Sequence, residues 1–253
     1  MINAKVTLYI TNYNYDQYLE KSISSAINQT YKNIEIFIID DGSEDKSQQI
    51  IERYSDVKNI KIIYQKNKGL IITNNIALRL ARGDYIMRLD ADDFLDKNAV
   101  KIMVDELDQD PELALVFPNY FVVDENDKIL NYRARIPSKE NKVKDNPAHG
   151  ACTLVRTEYL RSIGGYDETF TCQDGYFLWI NVFSKFKTKN IETPLFYYRK
   201  HNHNLTNNSE RILKTRSEII SKYVINNGNV IGNTLAILPI RGPEIDIDSI
   251  ALE

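Results

Sequence analysis

Residues 34–43 read Ile-Glu-Ile-Phe-Ile-Ile-Asp-Asp-Gly-Ser. A near-continuous apolar run of strand length is what a strand buried on both faces looks like, as in a parallel sheet covered by helices. The run stops abruptly at Asp40-Asp41-Gly42-Ser43, which puts an acidic pair at the strand's carboxyl end, and a helix carrying Ile50, Ile51 and Tyr54 follows. Upstream, Val6 to Ile10 reads as a strand, and Asp16 as the N-cap of a helix whose Leu19, Ile23, Ala26 and Ile27 share one face. Downstream, Ile60 to Tyr64 is a third strand, Leu70 to Ala81 a helix, and Tyr85 to Leu89 a fourth strand running straight into Asp90-Ala91-Asp92-Asp93. Alternating strands and helices predict an α/β fold with a mostly parallel sheet. Ligands of open parallel sheets bind outside the carboxyl ends of the strands, so two acidic clusters at two such ends are expected to face one pocket.

Beyond residue 93, Val100, Met103, Val104 and Leu107 mark another amphipathic helix, Leu113 to Phe117 a strand, and Asp124 to Asp127 a turn. Asn131 to Ala148 is polar, with two prolines, and reads as a loop or lid. Cys152 to Arg156 reads as a strand, Thr157 to Ile163 as a helix ended by Gly164-Gly165, and Gly175 to Phe186 as a helix with Phe177, Ile180 and Phe183 inward. Leu195 to Tyr198 is an aromatic strand, and Asn208 to Val224 carries Ile212, Ile219, Ile220 and Tyr223 at helical spacing.

The 253 residues, 43% of them hydrophobic, suffice for one large α/β domain. Thirty-two basic and thirty-five acidic side chains give a net charge of -3, which offers no positive excess for a nucleic-acid backbone. Two cysteines without a CxxC pair support neither a disulfide framework nor a thiolate zinc site, and no stretch approaches the roughly 20 apolar residues of a membrane span. These features predict a cytoplasmic protein, with peripheral membrane contact left open.

The Asp90-Ala91-Asp92-Asp93 cluster is the first candidate for chemistry. Carboxylates repel phosphates unless a hard divalent cation with oxygen ligands stands between them. An isolated acidic tetrapeptide is also explained by Asp92 or Asp93 capping the next helix, but a second cluster at Asp40-Asp41 favours a shared ligand site. A Gly-rich dinucleotide turn is missing after the first strand, where Thr11-Asn12-Tyr13-Asn14 stands, and GxxxxGK[ST] and GxSxG are absent.

The run VTLYITNYNYDQYLEKSISSAINQTYKNIEIFIIDDGSEDKS, with NKG at Asn67 to Gly69, ARGDYIMRLDADD at Ala81 to Asp93 and GGYDETFTCQDGYFLW at Gly164 to Trp179, resembles the family 2 glycosyltransferases of the GT-A fold. The likeness spans about the first two hundred residues. It implies a Rossmann-like nucleotide-diphospho-sugar transferase fold: residues 1-118 as the nucleotide-sugar part, 119-226 as the acceptor and catalytic-base part, and 227-253 as a tail that could begin a truncated second domain. It implies an inverting, metal-dependent transfer from a UDP-sugar to a glycan or lipid-linked glycan hydroxyl in bacterial surface polysaccharide synthesis, with Mn²⁺ or Mg²⁺ as cofactor.

Residue by residue, the resemblance assigns Thr11, Tyr13, Asp40, Asp41 and Gly42 to the nucleoside, Asp41 to the uracil ring, and Asp90 to the ribose and diphosphate with a share in the metal. Asp92 is the dependable metal ligand, His201 a further one with His203 as its competitor, and Asp174 the general base. Gln173 stands where most relatives have Glu, and an amide can position an acceptor but cannot take its proton. His149, Gly150 and Gln173 are acceptor-side candidates. Trp179 reads as core, and Tyr15, Lys66, Lys68 and Arg88 as surface or packing residues that could help hold a diphosphate. Two alternatives stand beside this reading. One is a sugar nucleotidyltransferase, from the faint likeness of Leu235 to Gly242 to the opening of that class. The other is a retired sugar-nucleotide-binding module.

Overall fold

The computed structural model describes residues 5–134, 150–183 and 185–225. Strands β1 (Val6–Asn12), β2 (Ile34–Asp40), β3 (Ile60–Tyr64) and β4 (Tyr85–Asp90) are parallel, and helices α1 (Asp16–Ile27), α2 (Ser47–Glu52) and α3 (Leu70–Leu80) connect them. All seven residues of β2 are buried, as the apolar run predicts. After the short β5 (Phe94–Leu95) and helix α4 (Ala99–Gln109) come β6 (Leu113–Val123), β7 (Ile129–Arg133), β8 (Leu154–Arg156) and α5 (Thr157–Ser162). The described residues continue through α6 (Asp174–Leu178), extended as a π-helix over Trp179–Phe183, then β9 (Lys187–Arg199) and α7 (Ser209–Ile220).

The described strands form one sheet in the order β3-β2-β1-β4-β8-β6-β9-β5, with β7 on β6. β8 lies antiparallel between β4 and β6, so a single sheet runs from the first part of the chain into the second. From β1 the chain steps outward to β2 and β3, then returns to the other side of β1 to lay down β4. That reversal opens a crevice between the carboxyl ends of β1 and β4. Two apolar layers cover the sheet. One joins Leu19, Ile23 and Ala26 of α1 to Val100, Met103, Val104 and Leu107 of α4. The other joins Ile71, Ala77 and Leu78 of α3 to Phe177, Trp179 and Ile180, so Trp179 is core as expected.

Several expectations are corrected. Asp16 does not cap α1: Tyr15 holds the N-cap position, while Asp16 N donates to Asp45 and the Asp16 carboxylate accepts from Lys46 N, tying α1 to the loop after β2. Neither Asp92 nor Asp93 caps α4, whose N-cap is Asn98. Residues 131–133, expected in a loop, belong to β7; the rest of that loop, 135–148, and the tail 227–253 lie outside the described residues. The inward place of Phe183 likewise concerns a side chain outside the described set. Among the described residues no helix is long and apolar enough to cross a membrane. Cys152 and Cys172 are buried free thiols.

A side-chain latch brings β1, β2 and the turn before β4 together. Thr7 Oγ1 donates to Glu35 at 2.7 Å and accepts from Gly83 N at 3.0 Å, and Glu35 also accepts from Arg82 N at 2.7 Å. The backbone passes so close here that a Cβ on Gly83 would lie 2.5 Å from Thr7 N and 2.7 Å from Tyr85 O. Forcing an extra methyl into packed backbone costs about 1–3 kcal/mol. Gly83→Ala is therefore expected to lower the urea unfolding midpoint by that amount of stability at constant m-value; an unchanged midpoint would contradict the close approach.

Candidate active site

The strand register gathers the first candidates. Thr11 stands opposite Asp90 on β4 and Asn12 opposite Asp40 on β2, so residues far apart in sequence form one row at the carboxyl end of the sheet. Thr11 Oγ1 donates to Asp90 Oδ1 at 3.1 Å. Asp40 is 0% exposed, and its oxygens are taken by Asn12 Nδ2 (2.8 Å), Ser43 Oγ (2.5 Å) and Ser43 N (3.2 Å). It shapes the loop and turns no oxygen towards solvent, unlike the nucleoside contact the sequence suggests. Asp41 accepts from Gln65 Nε2 (2.7 Å), Lys68 N (2.8 Å) and Gly69 N (2.8 Å), pinning the loop before α3. Gly42 makes that approach possible: it has φ +81°, and a Cβ there would lie 2.7 Å from Asn67 N. Tyr13, 45% exposed, stands at the mouth of the crevice.

Past β4, oxygens of Asp90, Asp92 and Asp93 come within 4.8 Å of one another. Burial pushes the Asp90 carboxyl up to about 6, helped by Asp92 and Asp174 and opposed by Arg88. Burial, with Asp92 and Asp90, also raises Asp93 well above the usual carboxylate range. Asp93 Oδ2 is a buried oxygen with no hydrogen-bond partner. Crowded, desolvated carboxylates with an orphaned oxygen suit a hard divalent cation, whose charge reverses such shifts. Asp92 accepts on Oδ2 from His201 Nε2 (3.0 Å) and Asn204 Nδ2 (3.3 Å), and its described bonds leave Oδ1 open.

His201 thus reaches the cluster, where its ring meets Asp92. His203 N donates to His201 Nδ1 at 3.1 Å, which favours the tautomer with the ring proton on Nε2, an atom that faces Asp92 Oδ2 at 3.0 Å and Asn204 Nδ2 at 3.2 Å. The ring braces the Asp92 carboxylate, and direct ligation would need the other tautomer and the loss of the His203 bond. Of His203, it is the backbone that takes part. The cluster is also held from behind by Arg199, whose Nε donates to Asp92 O (2.8 Å) and whose Nη2 donates to Asp127 (2.5 Å) across the turn after β6.

On the acceptor side, Asp174 opens α6 and is 5% exposed. Its carboxylate makes no cap. It pairs through Oδ2 with Arg88, which is 4% exposed and reaches Asp90 Oδ1 through Nε at 2.9 Å. Arg88 is therefore a buried bridge between the two acidic groups, where the sequence suggested a surface or packing residue. Gln173 has a left-handed φ of 65° and accepts on Oε1 from Arg216 of α7 at 2.7 Å. Gly150 passes so close to Asp174 that a Cβ would lie 2.5 Å from Oδ2. His149 lies outside the described residues.

Asn74, Arg199 and Asn204 were missed, and Arg88 was named only as a surface or packing residue that could help hold a diphosphate. For Arg88 one local signal existed: two places before Asp90 on a strand, it shares that residue's face of the sheet. Tyr15 packs on the His201 ring with centroids 5.4 Å apart, while Lys68 contributes its backbone N–H. A separate groove of about 790 Å³ between α1 and the turn after β6 is bordered by Phe94 and Arg199, but by none of Asp90, Asp92 and Asp174.

Comparisons with known proteins bear on the family and the fold. The chain is 39% identical to chondroitin synthase of Escherichia coli over 138 residues, 53% of this chain and 20% of that protein, so it spans about a fifth of that relative's length. It is 28% identical over 222 residues, 87% of each chain, to the Escherichia coli UDP-Glc:alpha-D-GlcNAc-diphosphoundecaprenol beta-1,3-glucosyltransferase WfaP. Among solved structures, S. aureus TarS 1-349 in complex with UDP-GlcNAc superposes with a TM-score of 0.73 at 16% identity, covering 90% of this chain and 68% of that one, which establishes the GT-A fold. With the glycosyl transferase family 2 model matching residues 7–164, a stretch that runs from the first strand through the acidic cluster, the chain belongs to that family.

Proposed function

We propose that the protein moves a sugar from a UDP-sugar to an acceptor hydroxyl by a single inverting displacement. The observation that carries this reading is the shared guanidinium of Arg88. It brings Asp90, at the donor end of the crevice, and Asp174, the candidate base, within the span of one side chain.

On the donor side, Tyr13 supplies an aromatic face for the base and Thr11 a hydroxyl beside it. Asp41 uses three of the roughly four lone-pair directions of a carboxylate on its own loop, which leaves one for the N–H of a uracil ring. Asp40 and Gly42 hold that loop in shape. Asp92 Oδ1, with Asp90 and Asp93 beside it, would hold Mg²⁺ or Mn²⁺. When bound, that ion neutralises the diphosphate and stabilises the charge on the leaving group.

The acceptor oxygen attacks the anomeric carbon on the face opposite the diphosphate, and its proton needs a carboxylate within hydrogen-bond reach. A carboxylate is a weak base towards a resting alcohol. The hydroxyl becomes acidic as its oxygen bonds to carbon, so late transfer to Asp174 removes the mismatch. Gly150 adjoins the Asp174 carboxylate, and Gln173, whose Oε1 is taken by Arg216, would orient an acceptor through its amide N–H groups. The relatives' names support a glycan or lipid-linked glycan as acceptor, and polysaccharide synthesis as the setting. Asp92 and Asp174 are both present, which argues against a retired binding module. The segment behind the nucleotidyltransferase reading, Leu235 to Gly242, lies outside the described residues.

Two outcomes test the proposal. UDP titrated calorimetrically into the protein with Mn²⁺ should bind at least roughly tenfold tighter than with EDTA or into Asp92→Ala, the scale on which metal-site residues act; equal affinity in all three would remove the metal from the donor site. Asp174→Asn should keep UDP affinity while lowering turnover by roughly 10²-fold or more. Near-normal turnover by the folded variant would refute the base.

A further inference from the structure

We propose that Arg88 is a positioning residue for the base, setting the direction of the Asp174 carboxylate and tying it to the donor-side carboxylate Asp90. The proposal rests on the reading of Asp174 as general base. Arg88 and Asp90 are two apart on β4, so both side chains leave the same face of the sheet and the guanidinium lies over the carboxylate. Nε stands 2.9 Å from Asp90 Oδ1 as an ion-pair contact without hydrogen-bond alignment, Nη2 donates to Asp90 Oδ2 at 3.4 Å, and Nη1 donates to Asp174 Oδ2. A planar fork can face two carboxylates at once, which a lysine ammonium on a flexible stem does not reproduce.

A second donor fixes the same oxygen. Asn74 Nδ2 donates to Asp174 Oδ2 at 3.3 Å, and the orientation of that amide is set by Tyr9, whose hydroxyl donates to Asn74 Oδ1 at 3.2 Å. All the described bonds of Asp174 thus fall on Oδ2, and Oδ1 is the oxygen left to receive the acceptor's proton. Gly150 completes the arrangement. A Cβ there would stand 2.5 Å from Asp174 Oδ2 and 2.8 Å from Arg88 Nη2, so a side chain at this position displaces the ends of the paired side chains. A side chain at residue 150 would push the base off its line without removing either charge.

The test is a double-mutant cycle on sugar transfer. Arg88→Lys keeps a positive charge, and Gly150→Ala leaves both Arg88 and Asp174 in the chain, so neither strips the buried carboxylates of their cation. Each is expected to lower kcat by up to roughly 10²-fold, the cost of about 1 Å of misplacement at a reacting centre. UDP affinity measured calorimetrically for Gly150→Ala should stay within about threefold of the unsubstituted protein, because the loss acts on the chemical step and not on donor binding. In an Asp174→Asn background each substitution should cost less than about threefold more, since residues acting as a unit are not additive.

Full multiplicative losses on top of Asp174→Asn, or UDP affinity falling in step with kcat for Gly150→Ala, would overturn the positioning role while leaving the transferase reading intact. Turnover by both single variants equal to that of the unsubstituted protein would overturn it as well. Absence of transfer by the unsubstituted protein, across the donors and acceptors tried, would overturn the reading of Asp174 and this role together.

Discussion

A buried arginine between two carboxylates is the constraint on which the site depends. Arg88 and Asp174 are 86 residues apart in sequence, on β4 and at the start of α6, and the guanidinium can meet both Asp174 and Asp90 only if the two parts of the sheet close on one crevice. Buried carboxylates without a cation would be costly, and a buried guanidinium without carboxylates equally so. The three charges therefore specify a geometry as well as compensate one another. They leave a net negative charge at the strand ends, next to a second group of buried acids at Asp92 and Asp93, and this excess is what makes the place suited to a divalent ion.

A second buried arginine, Arg199, holds the Asp92-Asp93 loop as Arg88 holds Asp174. Its backbone N–H serves Asp93 at 2.8 Å, its Nε the Asp92 carbonyl, and its Nη1 the carbonyls of Asp124 and Glu125 at 2.9 and 3.2 Å. The guanidinium also lies over the Tyr18 ring, 4.6 Å from its centroid. The acidic loop is thereby anchored to α1, to the turn after β6 and to the end of β9, and His201 and Asn204, just beyond Arg199, aim their side chains at Asp92. Rigid support of this kind leaves Asp92 Oδ1 and Asp174 Oδ1 as the oxygens free to act, one on each side of the crevice.

Much of this was legible in the sequence where the cause is local. β2 and β4 are dense in apolar residues because both faces of a parallel strand are covered, and their acidic ends announce the crevice. Gly164 and Gly165 end α5 with φ of 87° and 77°, a backbone that side chains avoid. What could not be read depends on tertiary partners. β9 begins at Lys187 although Lys187 and Lys189 are exposed, since its pairing with β6 supplies the order that its composition does not. β6 continues through Pro118, which lacks an N–H, and the ladder shifts register there. Arg88 read as a surface or packing residue because nothing local states that Asp174 comes to meet it. Asp40 and Asp41 look equivalent in sequence; only the register, with Asn12 opposite Asp40, turns the first inward and leaves the second facing the loop before α3.

In the proposed reaction Asp174 receives the proton of an acceptor approaching from the face opposite the diphosphate held near Asp92. The anomeric configuration of the transferred sugar tests this most directly. Proton NMR of the glycoside formed from an α-linked UDP-sugar gives the configuration from the coupling of the anomeric hydrogen of the transferred sugar. A β-linked product is predicted. An α-linked product would mean that the acceptor does not attack from the face opposite the diphosphate, and would contradict a single displacement with Asp174 as its base.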